Sequence, residues 1–198
     1  VRCAACTPIM PATVDDPKNA AAERGRKMAL PYAGALLPAE AHTLLERGTK
    51  LVDVRTRPEL LYVGRIPGAI TVEWQTYPGN RPNPEFLAEL AATVGKDELV
   101  MFLCRSGARS HGAAEAAARA GWRECYNVLE GFEGDKDPEQ HRGHVGGWRK
   151  AGPERGRLLR GRNRIRSRQL SPKGAARAPK SPADPVAAAG EARRAVAD

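Results

Sequence analysis

The chain has 198 residues, a formal net charge of +9 at pH 7 and 41% hydrophobic residues. This length suits one domain with tails, and no apolar run approaches the roughly 18 residues that a membrane span requires. The four cysteines, Cys3, Cys6, Cys104 and Cys125, are too few to cross-link a chain of this size as a disulfide scaffold. The composition therefore argues against a membrane span and a disulfide framework, and favours a domain held by one hydrophobic core.

The positive charge is concentrated at the C-terminal end. Residues 30–148 carry 13 basic and 16 acidic side chains, whereas residues 149–198 carry 14 basic and four acidic ones. Residues 155–198 are rich in Arg, Ala and Pro, and we interpret them as a disordered basic tail. Its arginines suit a phosphate backbone, but it has no aromatic residues for stacking on bases. We therefore expect no nucleic-acid partner except for weak binding through this tail.

Residues 1–29 show no convincing periodicity, and we interpret them as a flexible leader. They lack the apolar segment of a secretory signal. Met28 is a candidate translation start, in which case the residues before it are not native. Cys3 and Cys6 form a C-x-x-C pair, but no second pair of ligands follows at a zinc-like spacing, so we expect no metal site.

Between residues 30 and 154, helical and strand patterns alternate. In chain order we predict a helix over 36–48, a strand over 50–55, a strand after a Pro-Gly turn within 64–74, a helix over 83–95, a strand over 98–104, a helix over 110–121, a strand over 124–131 and a short helix over 146–152. The run at 98–104 is almost continuously apolar, as in a parallel strand covered on both faces. The alternation predicts one α/β domain with a mostly parallel sheet.

Cys104 ends the apolar strand and opens the segment CRSGARS, which leads into an alanine-rich helix. Ligands of α/β domains bind beyond the carboxyl ends of the strands. The free N–H groups of the helix start, the permissive backbone at Gly107 and the charges of Arg105 and Arg109 all favour a thiolate. Since the thiolate is the nucleophilic form of cysteine, we expect Cys104 to be catalytic. The alternative is a small core residue at a strand end.

The segment CRSGARS resembles the active-site loop of the rhodanese-like sulfurtransferases. Three further segments are similar to that family in the same order, namely LVDVRTRPEL, VGRIPGAITVEW and GWRECYNVLEGFEG. One departure is Arg65, which stands where the family commonly has His in the turn of the second segment. The resemblance covers residues 30–154 as a single rhodanese domain, and it implies a three-layer fold with a mostly parallel central sheet flanked by helices.

The resemblance implies a covalent transfer reaction. Cys104 would take a sulfane sulfur from a donor such as thiosulfate, hold it as a persulfide and pass it to cyanide or a thiol. The transferred sulfur would be bound by the backbone N–H groups of the loop, which belong to Arg105, Ser106, Gly107, Ala108, Arg109 and Ser110. Arg105 would meet the sulfonate end of the donor. Neither a cofactor nor a metal is implied.

The resemblance also implies residues that support the loop, which are Asp53, Arg55 and Glu59. Arg109 would close the loop through Asp53 or Glu59, and the sequence leaves this partner open. The expected partners are a small anionic sulfur donor and a thiol or cyanide acceptor, with a protein acceptor also compatible. No membrane partner is expected. We expect a cytoplasmic location, where reductants keep Cys104 free.

Two other functions are compatible with parts of the pattern. Cysteine-dependent phosphatases and arsenate reductases also surround an anion loop with Cys and Arg. Tyrosine phosphatases space the two residues by five, whereas four residues separate Cys104 from Arg109, and the shorter loop suits one sulfur atom better than a phosphate. No His precedes Cys104, as one usually does in phosphatases. The second alternative is a module that binds a protein or relays sulfur to it.

For three further residues we expect a structural role, and each has a weaker functional alternative. Cys125 is expected to pack in the core, with a resolving thiol as the alternative. His111 is expected on the surface of the helix that follows the loop, with a role in the anion site as the alternative. Trp74 is a packing residue that could lie near the mouth of the site.

Overall fold

The structure, a computed structural model, describes residues 16–151. Its helices are α1 (Pro17–Lys27), α2 (Pro38–Glu46), α3 (Arg57–Tyr62), α4 (Phe86–Ala91), α5 (Ala108–Arg119) and α6 (Trp148–Ala151). Its strands are β1 (Gly34–Leu36), β2 (Lys50–Asp53), β3 (Ile70–Thr71), β4 (Gln75–Thr76), β5 (Arg81–Pro82), β6 (Val100–Leu103) and β7 (Cys125–Val128). The predicted basic tail and the Cys3–Cys6 pair lie outside the described residues.

Five strands form a parallel sheet in the order β1-β7-β6-β2-β3. β6 lies in the middle, with Val100 opposite Cys125 on β7 and Met101 opposite Leu51 on β2. All residues of β6 and β7 are buried, because helices cover both faces of such a sheet. The prediction of a mostly parallel central sheet flanked by helices is confirmed. β4 and β5 form a separate antiparallel pair.

The core has one layer on each face of the sheet. Successive strand residues face opposite layers, so Val52 and Phe102 belong to one layer and Leu51 and Met101 to the other. The first layer takes Phe86 and Leu90 from α4 and three alanines from α5, at positions 113, 114 and 117. The second layer takes Ala21 from α1, Leu44 from α2 and Trp148 from α6. The small side chains of α5 let this helix lie close to β6, whose end it adjoins.

The prediction of a flexible leader is wrong for the residues that the structure describes there. The side chain of Asp16 accepts a hydrogen bond from the Lys18 N–H and caps α1. Ala21 is fully buried. Gly25 lies so close to β1 that a Cβ added to it would stand 2.7 Å from the Cα of Gly34. This helix therefore packs through its smallest residues, and it lacks the periodic large apolar residues by which sequence analysis recognises a buried helix.

Several short elements differ from the predictions. The strand expected within 64–74 is confined to β3, and the helix expected over 83–95 is confined to α4. β1, α3 and the β4–β5 pair were not predicted. The short final helix is confirmed as α6. Within residues 16–151, none of the helices combines the length and the apolar character needed to cross a membrane.

Candidate active site

Cys104 follows β6 directly and lies at the carboxyl end of the central strand. Only 1% of its surface is exposed. The chain turns from Cys104 into α5 through Gly107, whose φ of 94° is in the left-handed region that favours glycine. This turn brings the N-terminus of α5 next to the cysteine sulfur.

The Cys104 sulfur accepts two hydrogen bonds from the loop. The Gly107 N–H donates to Sγ over 3.1 Å, and the Ser110 hydroxyl donates over 3.2 Å. Together with the positive end of the α5 dipole, these donors stabilise negative charge on sulfur. The loop sequence predicts only backbone N–H groups as donors. The structure brings one of these N–H groups to the sulfur and adds the Ser110 side chain.

Arg109 is paired with Glu59, one of the two partners left open by the sequence. Its Nη1 and Nη2 donate to the two carboxylate oxygens over 2.8 and 2.5 Å. Glu59 also accepts hydrogen bonds from the N–H and the hydroxyl of Thr56. Burial by itself raises the pKa of Glu59, but Arg109 and Thr56 outweigh it and lower the pKa to about 2. In return, the hydrogen bond to Glu59 raises the pKa of Arg109.

Asp53 is engaged by Arg55 instead. Arg55 Nη2 donates to Asp53 Oδ2 over 2.6 Å, and both side chains are buried. The Arg55 guanidinium also donates to the Gly64 carbonyl and lies 4.0 Å from the ring centre of Phe132. Phe132 in turn donates its N–H to the Cys104 carbonyl over 2.8 Å. The buried pair thus supports the loop through Phe132 and does not line the cleft.

The segment from Gly131 to Glu133 also contacts the loop. The Glu133 N–H donates to the Arg105 carbonyl over 2.9 Å, beside the contact from Phe132. Gly131 lies so close that a Cβ on it would stand 2.5 Å from the Cys104 carbonyl oxygen. The sequence analysis missed Gly131, although it lies in the segment GWRECYNVLEGFEG that carries part of the resemblance.

The sulfur lies in a cleft of about 430 Å³. The cleft is lined by Thr56, Pro58, Glu59, Gln75, Tyr77, Asn80, Cys104, Arg105, Ser106, Ala108 and Arg109. Arg105 is exposed and, among the described residues, its guanidinium makes no hydrogen bond or ion pair. The residues from the β4–β5 region were missed by the sequence analysis, although the Tyr-Pro-Gly-Asn turn that contains them is visible in the sequence.

None of the three residues with weaker expectations lines this cleft, and Cys125 lies at the opposite end of the sheet, next to Val100. Trp74 packs edge-on against Phe86 and against Gly112 of α5. His111 is half-buried, and its Nδ1 is hydrogen-bonded to the Tyr32 hydroxyl at 2.6 Å. Cys125 is fully buried, and burial raises the pKa of its thiol to about 12. These properties suit core packing at position 125 and not a second reactive thiol.

The chain is similar to proteins of one family over most of this fold. The family model described as "Rhodanese-like domain" matches residues 37–137. The crystal structure of Rv0390 from M. tuberculosis is 44% identical, with a TM-score of 0.54, and the match covers 61% of this chain and 95% of that one. The uncharacterized protein RP600 of Rickettsia prowazekii is 36% identical over 46% of this chain and 76% of its own. Thiosulfate sulfurtransferase 16 of Arabidopsis thaliana, a chloroplastic protein, is 33% identical over 46% of this chain and 78% of its own.

Proposed function

Because the chain belongs to the rhodanese-like domain family, we propose that it is a sulfurtransferase that carries a sulfane sulfur on Cys104. The observation that supports this most directly is the pair of hydrogen bonds to the Cys104 sulfur, from the Gly107 N–H and the Ser110 hydroxyl. Donors at a helix N-terminus stabilise the negative charge that a thiolate and a persulfide both carry. The similarity to Thiosulfate sulfurtransferase 16 supports the same reaction class.

The first step loads the sulfur. The Cys104 thiolate attacks the outer sulfur of thiosulfate, a new S–S bond forms, and the S–S bond of the donor breaks. The bonding electron pair leaves with sulfite, and the enzyme keeps a persulfide that carries one negative charge. Neither an oxidant nor a reductant is consumed, and the total charge of the reactants equals that of the products. This is nucleophilic catalysis through a covalent intermediate.

The second step delivers the sulfur. Cyanide or a thiolate attacks the outer sulfur of the persulfide, and the electron pair of the broken S–S bond returns to Cys104. With cyanide the product is thiocyanate, and with a thiolate it is a persulfide of the acceptor. The cleft of about 430 Å³ is in the size range of pockets for small organic ligands, which supports small organic thiols as acceptors. A protein acceptor would need an exposed cysteine to reach Cys104.

The two arginines of the loop take different roles in this proposal. Arg105 lines the cleft and is exposed, so it is available to the sulfonate group of the donor. Arg109 is bound at both terminal nitrogens by Glu59, so it closes the loop. We place the reaction in the cytoplasm, because reductants there keep Cys104 free to react.

The pairing of Arg109 also bears on the phosphatase alternative. A phosphatase needs the arginine of its anion loop to bind the substrate phosphate. Here Glu59 already occupies that guanidinium, and Sγ itself accepts the Gly107 N–H that would face a phosphate oxygen. These contacts favour sulfur transfer. Hydrolysis of p-nitrophenyl phosphate by the purified protein, lost in Cys104→Ser, would restore the alternative.

The test of the proposal is sulfur loading of the intact protein. After incubation with thiosulfate, we expect a mass increase of about 32 Da, one sulfur atom, located on Cys104. Cyanide should then remove this mass and release thiocyanate. Cys104→Ser should abolish both events, whereas Cys125→Ser, which removes the buried thiol of the core, should retain both. Thiocyanate production by Cys104→Ser at the wild-type rate would overturn the proposal.

A further inference from the structure

Asn127 is a buried polar residue on β7 that the proposed reaction does not use. Only 3% of its surface is exposed. Its Nδ2 donates to the Gly107 carbonyl over 3.2 Å, but its Oδ1 is buried and has no hydrogen-bond partner among the described residues. A buried oxygen without a donor costs free energy. An apolar residue would avoid this cost, so the amide at this position requires an explanation other than stability.

Gly107 is the residue whose backbone N–H contacts the sulfur. Its N–H donates to Sγ of Cys104, and three donor groups lie within hydrogen-bond distance of its carbonyl oxygen. Two of these donors, the Ser110 hydroxyl and the His111 N–H, belong to α5. The third is Asn127, which lies on the sheet. Since the first two donors move with α5, Asn127 is the side chain that ties the Gly107 turn to the sheet itself.

Tyr32 and His111 form a hydrogen-bonded pair that joins the segment before β1 to α5. Tyr32 is buried before β1, and its hydroxyl is hydrogen-bonded to His111 Nδ1 at 2.6 Å. Burial raises the pKa of Tyr32 to about 12, and hydrogen bonding with the Asn127 side chain opposes part of this rise. The Tyr32 hydroxyl therefore stays protonated at neutral pH.

From these contacts we propose that Asn127 is a positioning residue of the sulfur-carrying loop. By holding the Gly107 carbonyl to the sheet, it keeps the Gly107 N–H directed at the sulfur of Cys104. Its role in sulfur transfer rests on the proposed function, but its effect on the cysteine does not. The residue does not touch the sulfur and acts through Gly107.

The variant Asn127→Leu separates positioning from stability. Leucine has nearly the shape of asparagine, and it removes both Nδ2 and the unpartnered Oδ1. The Gly107 carbonyl keeps the His111 N–H of α5 as a donor, so no buried group loses its last partner. Replacing a poorly satisfied polar group by an apolar one of similar shape is close to neutral or stabilising. We therefore expect the melting temperature to be unchanged or higher while the loop function declines.

The test measures the reactivity of Cys104 in the full chain. Alkylation by iodoacetamide is followed as a function of pH by peptide mass spectrometry of the segment that contains Cys104, which separates it from the other three cysteines, and only the thiolate reacts. In Asn127→Leu we expect the pH midpoint of the alkylation rate to rise by about half a unit to one unit, a threefold to tenfold change in the thiolate–thiol equilibrium. The turnover number for thiosulfate and cyanide should fall by a similar factor, with the KM for thiosulfate unchanged because Arg105 is intact.

Tyr126→Phe is the matched control. Tyr126 is the neighbouring residue on β7, it faces the opposite layer, and its hydroxyl makes one hydrogen bond to Glu124 over 3.0 Å. The control should leave the pH midpoint unchanged. If Asn127→Leu does not fold, Asn127→Ala removes the same donor, and the same midpoint shift is expected even though its cavity lowers the melting temperature.

The outcomes distinguish this proposal from the proposed function. If the wild-type protein transfers no sulfur but Asn127→Leu shifts the alkylation midpoint, the positioning role stands and the sulfurtransferase proposal fails. If the wild-type protein transfers sulfur and neither Asn127 variant shifts the midpoint, the positioning role fails alone. A midpoint shift of equal size in Tyr126→Phe would also overturn it, because the effect would then be a general response of β7.

Discussion

Glu59→Gln tests whether the ion pair between Glu59 and Arg109 holds the loop closed. Glutamine keeps the size of the side chain and one acceptor oxygen, but it loses the charge. Arg109 would then remain largely buried without a counter-charge. We expect the substitution to destabilise the protein at neutral pH and to slow sulfur loading at Cys104, because the start of α5 is no longer held against α3.

The size of the effect follows from the pKa of Glu59. Burial raises this pKa, but hydrogen bonds from Arg109 and Thr56 outweigh burial and lower it from 4.5 to about 2. At 1.36 kcal/mol per pKa unit, the shift corresponds to about 3 kcal/mol of stability. Since both side chains of the pair retain 20% exposure, we discount this value for solvent screening to about 2 kcal/mol at neutral pH.

The pH dependence gives the prediction a sign. A carboxylate whose pKa is lower in the folded protein than in the unfolded chain stabilises the fold at pH values above the unfolded pKa. That stabilisation is lost as the pH falls from about 4.5 towards about 2. Glu59→Gln has no carboxylate to protonate. The difference in unfolding free energy between the wild type and this variant should therefore be largest at neutral pH and should shrink below about pH 4.5.

The assay is urea unfolding of both proteins at neutral pH and at about pH 3. Glu115→Gln is the matched control, because Glu115 and Arg119 also pair at 2.5 Å but the Arg119 side chain is 77% exposed. An exposed pair of this kind contributes less than about 1 kcal/mol. The reasoning is refuted if Glu59→Gln costs no more than Glu115→Gln, or if the cost does not change with pH.

Two further predictions concern the cleft and α1. Arg105→Ala should raise the KM for thiosulfate about tenfold, equivalent to about 1.4 kcal/mol, without lowering the melting temperature. Arg123→Ala, which breaks an exposed ion pair, should change neither the KM nor the melting temperature. Steady-state kinetics and thermal melts measure the two quantities. Gly25→Ala should destabilise the protein, although the same change in an ordinary helix stabilises by about 1 kcal/mol, because its Cβ would meet the backbone of Gly34 at 2.7 Å. In Gly112→Ala the added Cβ would be at an ordinary contact distance of 3.5 Å, so this variant should be more stable than the wild type. Changes in melting temperature of the same sign in both variants would contradict the close packing of α1.

The elements that sequence analysis predicted are those with a strong apolar period. β6 and β7 are continuous apolar or buried runs, and α5 has alanines at helical spacing. α1 was not predicted because it packs backbone against backbone at Gly25, and such packing produces no periodic pattern of apolar side chains. α3 left a signal that was not used: Thr56 and Glu59 stand at the spacing of a capping box with a proline between them. The missed helices thus reflect packing by small residues and an overlooked cap, not a lack of helical sequence.

The candidate site was partly predictable for a related reason. Cys104, Gly107 and Arg109 lie within one short segment, so their spacing alone constrains them to one turn. The partner of Arg109 lies 50 residues away, and the choice between Asp53 and Glu59 depends on how α3 packs. The same applies to Asn127, whose contact with the loop spans 20 residues. Contacts between distant segments are set by tertiary packing, which no local pattern encodes.

Arg105 and Arg109 differ because Glu59 pairs with Arg109 alone. The Glu59 carboxylate accepts hydrogen bonds from the N–H and hydroxyl of Thr56, the N-cap residue of α3, and from the guanidinium of Arg109 in the first turn of α5. One charged group thereby joins the starts of two helices, and the charge of Arg109 is neutralised in doing so. Under the proposed function, the charge of Arg105, which is exposed and lines the cleft, attracts the anionic donor. A donor such as thiosulfate, whose charged end and transferable sulfur are separate atoms, fits this division better than a phosphate ester, whose charge surrounds the atom under attack. The proposed sulfur transfer thus assigns the charged end of the donor to Arg105 and its transferable sulfur to Cys104.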